Sequence, residues 1–296
     1  MKVTVIGTNG LLSDCIGKYC NTNNHELMMF GLDKPLRHEF DSFTSINLIH
    51  QDLDYKALLN ADLIVYAAGA GIQSNLKENA ELIYNLNVAV PVKTCNSLKT
   101  TGYTGAFVSF GSYFEIGENA EDHCFDETEL LQSQRRVVND YSVSKRMFSR
   151  YISSVEMPFT IRHFILPTIY GENEASHRLI PYTINALRTN TEIAFTSGEQ
   201  VRQYIYIDEV VEIIFKAQKK QISAGVYNMS GAETFTVKEL VTKLAELLNK
   251  PLGENVFGKT ERTDTGMKNL QLNGDKLHNA MNYQPQTKLI DVYDRY

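Results

Sequence analysis

The chain has 296 residues, 43% hydrophobic and 22% charged, enough for one large or two unequal domains around a packed core. Its net charge of −6 argues against a nucleic-acid partner, which needs a basic face, and leaves room for a small anionic ligand held by local arginines. The longest apolar runs, such as 61–70, have strand rather than membrane-span length, and Met1-Lys2-Val3 enters structure with no signal-peptide pattern. The cysteines Cys15, Cys20, Cys95 and Cys124 show neither zinc-like nor disulfide spacing, which implies a reducing, cytoplasmic compartment and no metal site.

Taken in chain order, Lys2 to Ile6 reads as a buried strand that runs into Gly7-Thr8-Asn9-Gly10-Leu11-Leu12-Ser13 and a helix from Asp14. Gly7 permits a tight turn, Gly10 lets the backbone approach a pyrophosphate, and the following helix start offers free N–H groups and a positive dipole end. Ser13 stands where close helix-to-strand packing usually takes a third glycine. Further strands are expected at Leu27 to Phe30, Leu63 to Ala67, Ala106 to Phe110 and Phe159 to Ile165, with helices at 78–96 and 140–155. That alternation predicts an α/β fold with a parallel doubly wound sheet of the Rossmann kind. After Pro167 it loosens into a polar loop at 171–178 and an apolar helix at 181–187. A return strand at 205–207 follows, with Asp208 capping the next helix, and then an amphipathic helix at 236–249. The expected division is a dinucleotide-binding domain of 1–166 plus about 204–222, and a smaller C-terminal substrate-binding region of 167–203 and 223–296.

Within the helix expected at 140–155, Tyr141 and Lys145 are four residues apart and share one face. A free phenol titrates near ~10, and a lysine cation beside it favours the phenolate, so such a tyrosine can exchange a proton with a carbonyl or alcohol oxygen. By itself the pair also fits a half-buried tyrosine beside a solvated lysine.

The order of motifs carries more. The glycine loop is followed by Asp52-Leu53, Ala67-Ala68-Gly69, Asn87-Val-Ala-Val and Ser112, five residues before Gly117. Then come Tyr141-x-x-x-Lys145, the run from Leu166 to Gly171, the segment from Gly198 through Arg202 to Asp208, and Arg262-Thr-Asp264. In this arrangement nearly the whole chain resembles the extended short-chain dehydrogenase/reductase family, whose members include nucleotide-sugar epimerases, dehydratases and ketoreductases. The resemblance implies Ser112, Tyr141 and Lys145 as catalytic residues, with Asn87 organising a proton relay. It implies cofactor contacts from Gly7 to Leu12, from Asp52 and Leu53 to adenine, from Ala67, Ala68 and Gly69, and from Phe110, Tyr141, Lys145, Pro167 and Ile169 around the nicotinamide. Arg202 and Arg262 would hold a diphosphate, while Tyr113, His177, Arg178 and Phe195 are candidate substrate contacts.

Family dehydratases carry an aspartate and a glutamate directly after the catalytic Ser or Thr, because eliminating a hydroxyl as water needs an acid and a base beside that carbon. Here those positions are Tyr113 and Phe114, which excludes dehydration and leaves reduction at C4 or 4-epimerisation. The stretch from Arg178 to Asp208 and the tail around Arg262 are most similar to the reductases of 4-keto-6-deoxyhexose nucleotides that make abequose- or fucose-type sugars. In NAD-preferring relatives an acid ends the second strand and takes the ribose hydroxyls. This chain has Gly31 there, which removes a carboxylate that would repel a 2′-phosphate, and Lys34 or Arg37 offers positive charge, so NADP(H) is expected over NAD(H). Asp33, two residues on, offers the opposite choice, and Lys34 to Arg37 also reads as a solvated turn. The expected partner is a nucleoside diphosphate sugar, with no nucleic acid and no membrane, and two copies are expected to pair through the helices at 78–96 and 140–155. The same fold also serves non-catalytic dinucleotide sensors, against which retention of Ser112, Tyr141 and Lys145 together argues.

Overall fold

The computed structural model describes residues 1–71, 79–253, 255–261 and 266–296. The amino-terminal half is strand β1 (Lys2–Ile6), helix α1 (Leu11–Thr22), β2 (Glu26–Gly31), β3 (Ser42–Ser45), β4 (Leu63–Tyr66), α2 (Ala80–Tyr84), α3 (Val90–Thr101) and β5 (Ala106–Ser112). It is followed by β6 (Cys124–Phe125), α4 (Glu127–Gln132), α5 (Asp140–Ser154), β7 (Thr160–Leu166), β8 (Thr168–Tyr170) and α6 (Leu179–Thr189). The rest is β9 (Val201–Tyr206), α7 (Ile207–Lys219), β10 (Gly225–Asn228), β11 (Glu233–Thr236), α8 (Val237–Leu247), β12 (Asn269–Leu272) and α9 (Asp275–Met281).

Seven parallel strands form the main sheet in the order β10-β7-β5-β4-β1-β2-β3. This is the doubly wound Rossmann order, with its switch point beside β1. The β-branched and apolar runs of the central strands are buried on both faces, as a sheet covered by helices on two sides requires. Along β4, Leu63 and Val65 enter the core under α1 and α7, while Ile64 and Tyr66 enter the core under α3 and α5. β3, with the sequence Ser-Phe-Thr-Ser, lies at the sheet edge and is largely exposed, so it carries no hydrophobic run to announce it.

Helix α1 begins at Leu11, three residues before the expected start, because Gly10 already serves as its cap. The segment expected as one helix from 78 is α2, a π-helical turn at Asn85–Ala89, and α3 with Pro91 in its first turn; position 78 lies outside the described residues. Gly102, at φ +81°, ends α3 in the left-handed cap conformation that glycine tolerates best. Asp208 is not a cap: Tyr206 holds that position, and Asp208 lies in the first turn of α7, where an acid still suits the helix dipole.

A second sheet of short strands, in the order β11-β9-β12-β6 with β8 against β9, covers the carboxyl edge of the first. β10, at 225–228, joins the main sheet from within the stretch expected to belong to the substrate region.

Candidate active site

The carboxyl ends of the parallel strands open into a cleft of about 1220 Å³ between the main sheet and the smaller layer. At its first end the turn after β1 is shaped by two small residues. Gly7 sits at φ +112°, and a Cβ there would lie 2.5 Å from the Ala68 main-chain nitrogen, so a side chain is excluded by conformation and by space. Ser13 replaces the third glycine with a closed turn, its hydroxyl accepting the Gly10 N–H and donating to the Gly10 carbonyl, both at 3.0 Å. The start of α1, Ala67, Ala68 and Gly69 line the same end, and the unobstructed main chain with a 12-residue helix behind it fits a dinucleotide pyrophosphate.

Gly31 has a local reason for being glycine, since a Cβ there would stand 2.3 Å from the Thr8 hydroxyl, which donates to the Asp33 carbonyl. Gly31, Asp33 and Arg37 line the cleft, and Arg37 pairs with the buried Asp14 at 3.1 Å. Lys34 does not line it; its ammonium lies over the Phe40 ring, 5.3 Å from the centroid. Asp52 and Leu53, expected to meet adenine, do not line the cleft either. Asp52 is exposed and pairs with Lys93, Leu53 is buried in the core, and residues 46–49, directly after β3, line the cleft in their place. The strand ends dictate this, because the segment that meets the cleft is the one leaving β3 at Ser45.

Ser112 ends β5, and Tyr141 and Lys145 project from the first two turns of α5, whose start is capped by the Asn139 carboxamide on the Ser142 N–H at 2.9 Å. All three line the cleft. Burial pushes the Tyr141 phenol up to about 12, with the neighbouring Ser112 hydroxyl opposing the rise. Burial likewise pushes Lys145 down to about 8, opposed by Glu115, and its ammonium donates to the Phe110 carbonyl at 2.9 Å. The expectation that Lys145 lowers the phenol is thus corrected here. Its ammonium is 5.8 Å from the ring centre and bound to main chain, so desolvation outweighs it and the phenol stays protonated at neutral pH.

Asn87 lies in the π-helical turn and is buried. Its amide donates to the Ala70 carbonyl and the Ser144 hydroxyl, both at 2.9 Å, and its oxygen accepts the Ala70 N–H at 3.0 Å. The side chain is a bridge between the β4 turn and α5, so its contribution to the site is to hold those two segments together. His163, expected as a satisfied core histidine, contacts the Ser109 and Ser149 hydroxyls at 2.8 Å each.

Phe110, Pro167 and Ile169 line the middle of the cleft. Beyond them, the Tyr113 hydroxyl meets the Thr168 hydroxyl at 2.5 Å, and Phe114 follows it, so the positions that carry acids in dehydratases hold aromatic rings. Arg178 pairs with the buried Glu174 at 2.8 Å and donates to the Ile169 carbonyl at 3.2 Å, while His177 lies exposed at the rim. Arg202 is buried and donates to the Val201 and Met267 carbonyls, and Phe195 stacks on Phe257 at 5.6 Å. Arg262 lies outside the described residues. Sequence reasoning gave no role to Glu174, Gln200 and Tyr204, which line this end; Glu174 is a single polar residue in a loop, and Gln200 and Tyr204 stand within the Gly198–Asp208 segment behind its arginine.

A doubly wound sheet with a glycine turn at its switch point, and a serine, tyrosine and lysine at the mouth of the same cleft, defines a dinucleotide-dependent enzyme of the Rossmann type. The NAD dependent epimerase/dehydratase family model matches residues 3–230, and the chain belongs to that family. Its pyridine dinucleotide fits the glycine turn.

Among curated relatives, CDP-abequose synthase of Salmonella muenchen is 28% identical over 149 residues, 49% of this chain and 46% of the relative. The CDP-abequose synthase of Yersinia pseudotuberculosis is 26% identical over 202 residues, 66% of this chain and 65% of the relative. Human dTDP-D-glucose 4,6-dehydratase is 25% identical over 144 residues, 48% and 40%. The matched stretches therefore span between two fifths and two thirds of these relatives' lengths. Among solved structures, MoeE5 in complex with UDP-glucose and NAD superposes with a TM-score of 0.82 at 14% identity, covering 100% of this chain and 97% of its own. The Bordetella bronchiseptica enzyme WbmG in complex with NAD and UDP gives 0.79 at 14%, covering 100% and 93%. At these identities the likeness is one of fold. No helix among the described residues is long and apolar enough to cross a membrane.

Proposed function

We propose that the protein is an NADP(H)-preferring nucleotide-sugar oxidoreductase that reduces the C4 keto group of a nucleoside diphosphate 4-keto-6-deoxyhexose, as in deoxysugar biosynthesis. The observation that carries this reading is the convergence of Ser112, Tyr141 and Lys145 on one cleft whose next two positions, Tyr113 and Phe114, are aromatic. Without a carboxylate pair there, elimination at C6 lacks its acid and base, and exchange of hydride and proton at C4 is the chemistry that remains. The CDP-abequose synthases among the relatives support the same reading.

A reduced nicotinamide dinucleotide held by the glycine turn would supply the hydride for C4. Tyr141, kept protonated by burial, is the acid that delivers a proton to the C4 oxygen, and Ser112 donates a hydrogen bond to that oxygen as charge develops. Lys145 would hold the nicotinamide ribose and offset the phenolate that forms. Arg202 binds the diphosphate, for which a guanidinium's planar fork is suited, and Arg178 and Phe195 complete the sugar-nucleotide end. Gly31 and Arg37 support the NADP(H) preference, with Arg37 having to share its charge between Asp14 and a 2′-phosphate. Pairing of two copies through α2–α3 and α5 belongs to the same reading.

The test is oxidation of NADPH and of NADH with a panel of 4-keto-6-deoxyhexose nucleotides and of ordinary hexose nucleotides. Stoichiometric cofactor oxidation with a 4-keto substrate supports the reductase. Interconversion of hexose nucleotides with no net cofactor oxidation would identify a 4-epimerase in its place.

A further inference from the structure

Glu115 belongs to none of the motifs that define the cleft, and it is fully buried, at 0% exposure. It sits in the short 3-10 turn Tyr113–Ile116 that follows β5, and its Oε1 accepts the Ser112 main-chain N–H at 2.8 Å. Gly111 makes the room: a Cβ there would lie 2.6 Å from Glu115 Oε1 and 2.8 Å from His163 Nε2. Glu115 Oε2 accepts no hydrogen bond among the described residues. The Ser149 hydroxyl beside it has one proton, for which the Lys145 carbonyl at 3.0 Å and His163 Nε2 at 2.8 Å compete.

A buried carboxyl with an unpartnered oxygen is costly unless a cation compensates it. The groups that face it are few. Burial raises its carboxyl, and from α5 the Ser149 hydroxyl, Lys145 and Arg146 all favour its ionised form, while Tyr141 is the phenol it pushes up. Arg146 is committed to main chain, donating to the Glu115 and Arg135 carbonyls. From β7 comes His163, held neutral by burial with its pKa pushed down to about 3. On its own turn, Tyr113 is engaged with Thr168; on α4, Glu127 turns to the Asn228 N–H and Glu129 to His123; β12 carries Asn, Leu, Gln and Leu. Lys145 is therefore the cation of the cleft whose charge Glu115 favours through space, its ammonium itself donating to the Phe110 carbonyl.

We propose that Glu115 is a positioning residue of the active site: its carboxylate anchors the Ser112 main chain and holds the ammonium charge on Lys145, and so sets the pH at which the Tyr141–Lys145 pair exchanges its proton. The proposal rests on the reading of that pair as the proton-exchanging group. Glutamine at 115 keeps an acceptor for the Ser112 N–H and removes the charge. Lys145 then loses the carboxylate that favours its ammonium, and Tyr141 loses the carboxylate that opposes its phenolate. Both titrate at lower pH, so the displacement has one sign whichever way the oxygen proton moves.

The experiment is reductive methylation of Lys145 with formaldehyde and a borane, its rate followed by peptide mass spectrometry from pH 6 to 10 in the whole protein. Only the free amine reacts, so the rate reports the titration of Lys145 itself. Glu115→Gln is expected to lower the midpoint by about one pH unit. An unchanged or raised midpoint overturns the proposal. No substrate is needed, so the outcome stands apart from the turnover test of Tyr141. If the glutamine variant does not fold, Glu115→Leu, which removes the buried charge altogether, is expected to show the same displacement, and an unchanged midpoint there overturns the proposal equally.

Discussion

At the β1 end of the cleft the floor is main chain and residues too small to obstruct it, Gly7, Gly31, Ala67, Ala68 and Gly69 at neighbouring strand ends, with Arg37 and residues 46–49 beside them. At the opposite end they are large side chains, Tyr113, Arg178, Phe195 and Arg202, from four separate segments, each fixed by a partner of its own. The first end is a shape that the backbone makes and a side chain can only spoil. The second is a set of groups that can be removed one at a time while the shape persists. Substitutions at the first should therefore act through folding and cofactor binding together, and substitutions at the second chiefly through the reaction or substrate.

Tyr141→Phe bears on this contrast most strongly, since it leaves the packing and removes one oxygen. Turnover is expected to fall on the order of 10³-fold with thermal stability and dinucleotide affinity near those of the wild type, measured by cofactor oxidation and calorimetric titration. Full activity in that variant would end the catalytic account. Gly7→Ala should behave oppositely, because φ +112° and a 2.5 Å approach to the Ala68 nitrogen must both be relieved. A loss on the order of 3 kcal/mol in urea unfolding is expected, with dinucleotide binding lost alongside; an unchanged midpoint would break the comparison.

Arg202→Lys gives up buried bonds to the Val201 and Met267 carbonyls, costing about 1–3 kcal/mol of stability, and should weaken nucleoside diphosphate sugar binding roughly tenfold to a hundredfold, with dinucleotide affinity unchanged. Equal loss for both ligands would mean that Arg202 supports the whole cleft. Burial raises the Glu115 carboxyl from 4.5 to about 7, so the folded protein holds a proton there that the unfolded chain releases. That contribution is present below the unfolded value and is lost as pH rises through about 7. Wild type should therefore lose stability relative to Glu115→Gln between pH 5 and 7, by roughly 1–3 kcal/mol in paired unfolding curves. A constant difference across that range would contradict it. Ser13→Gly should be the mildest change, within about 1 kcal/mol, because glycine restores the common form of the turn while giving up two hydrogen bonds.

The same contrast explains what could be read from the chain beforehand. Central strands announce themselves because burial on both faces demands unbroken apolar runs, as in Leu63–Tyr66, and the glycine turn because only particular residues fit it. β3 is a polar edge strand with no such demand. Without it the chain's entry into the cleft could not be placed, and residues 46–49, which line it, carry no motif of their own. The short strands of the second sheet are fixed by partners far away in the chain, such as β12 beside β6 and β9, and carry no periodicity of their own. Ser112, Tyr141 and Lys145 were legible through spacing within a known arrangement. The burial of the phenol and the commitment of Lys145 to the Phe110 carbonyl depend on packing that no spacing records.

The widened turn at Asn85–Ala89 is, in effect, one residue more than a regular helix would hold, so what precedes and follows it is rotated by about a hundred degrees. Shortening this stretch by a single residue would restore an ordinary spiral and swing Asn87 away from Ala70 and Ser144. The chain would lose the strut between the β4 turn and the tyrosine-bearing helix without losing a single helical hydrogen-bonded turn, so a deletion that looks harmless to secondary structure would unlock the site.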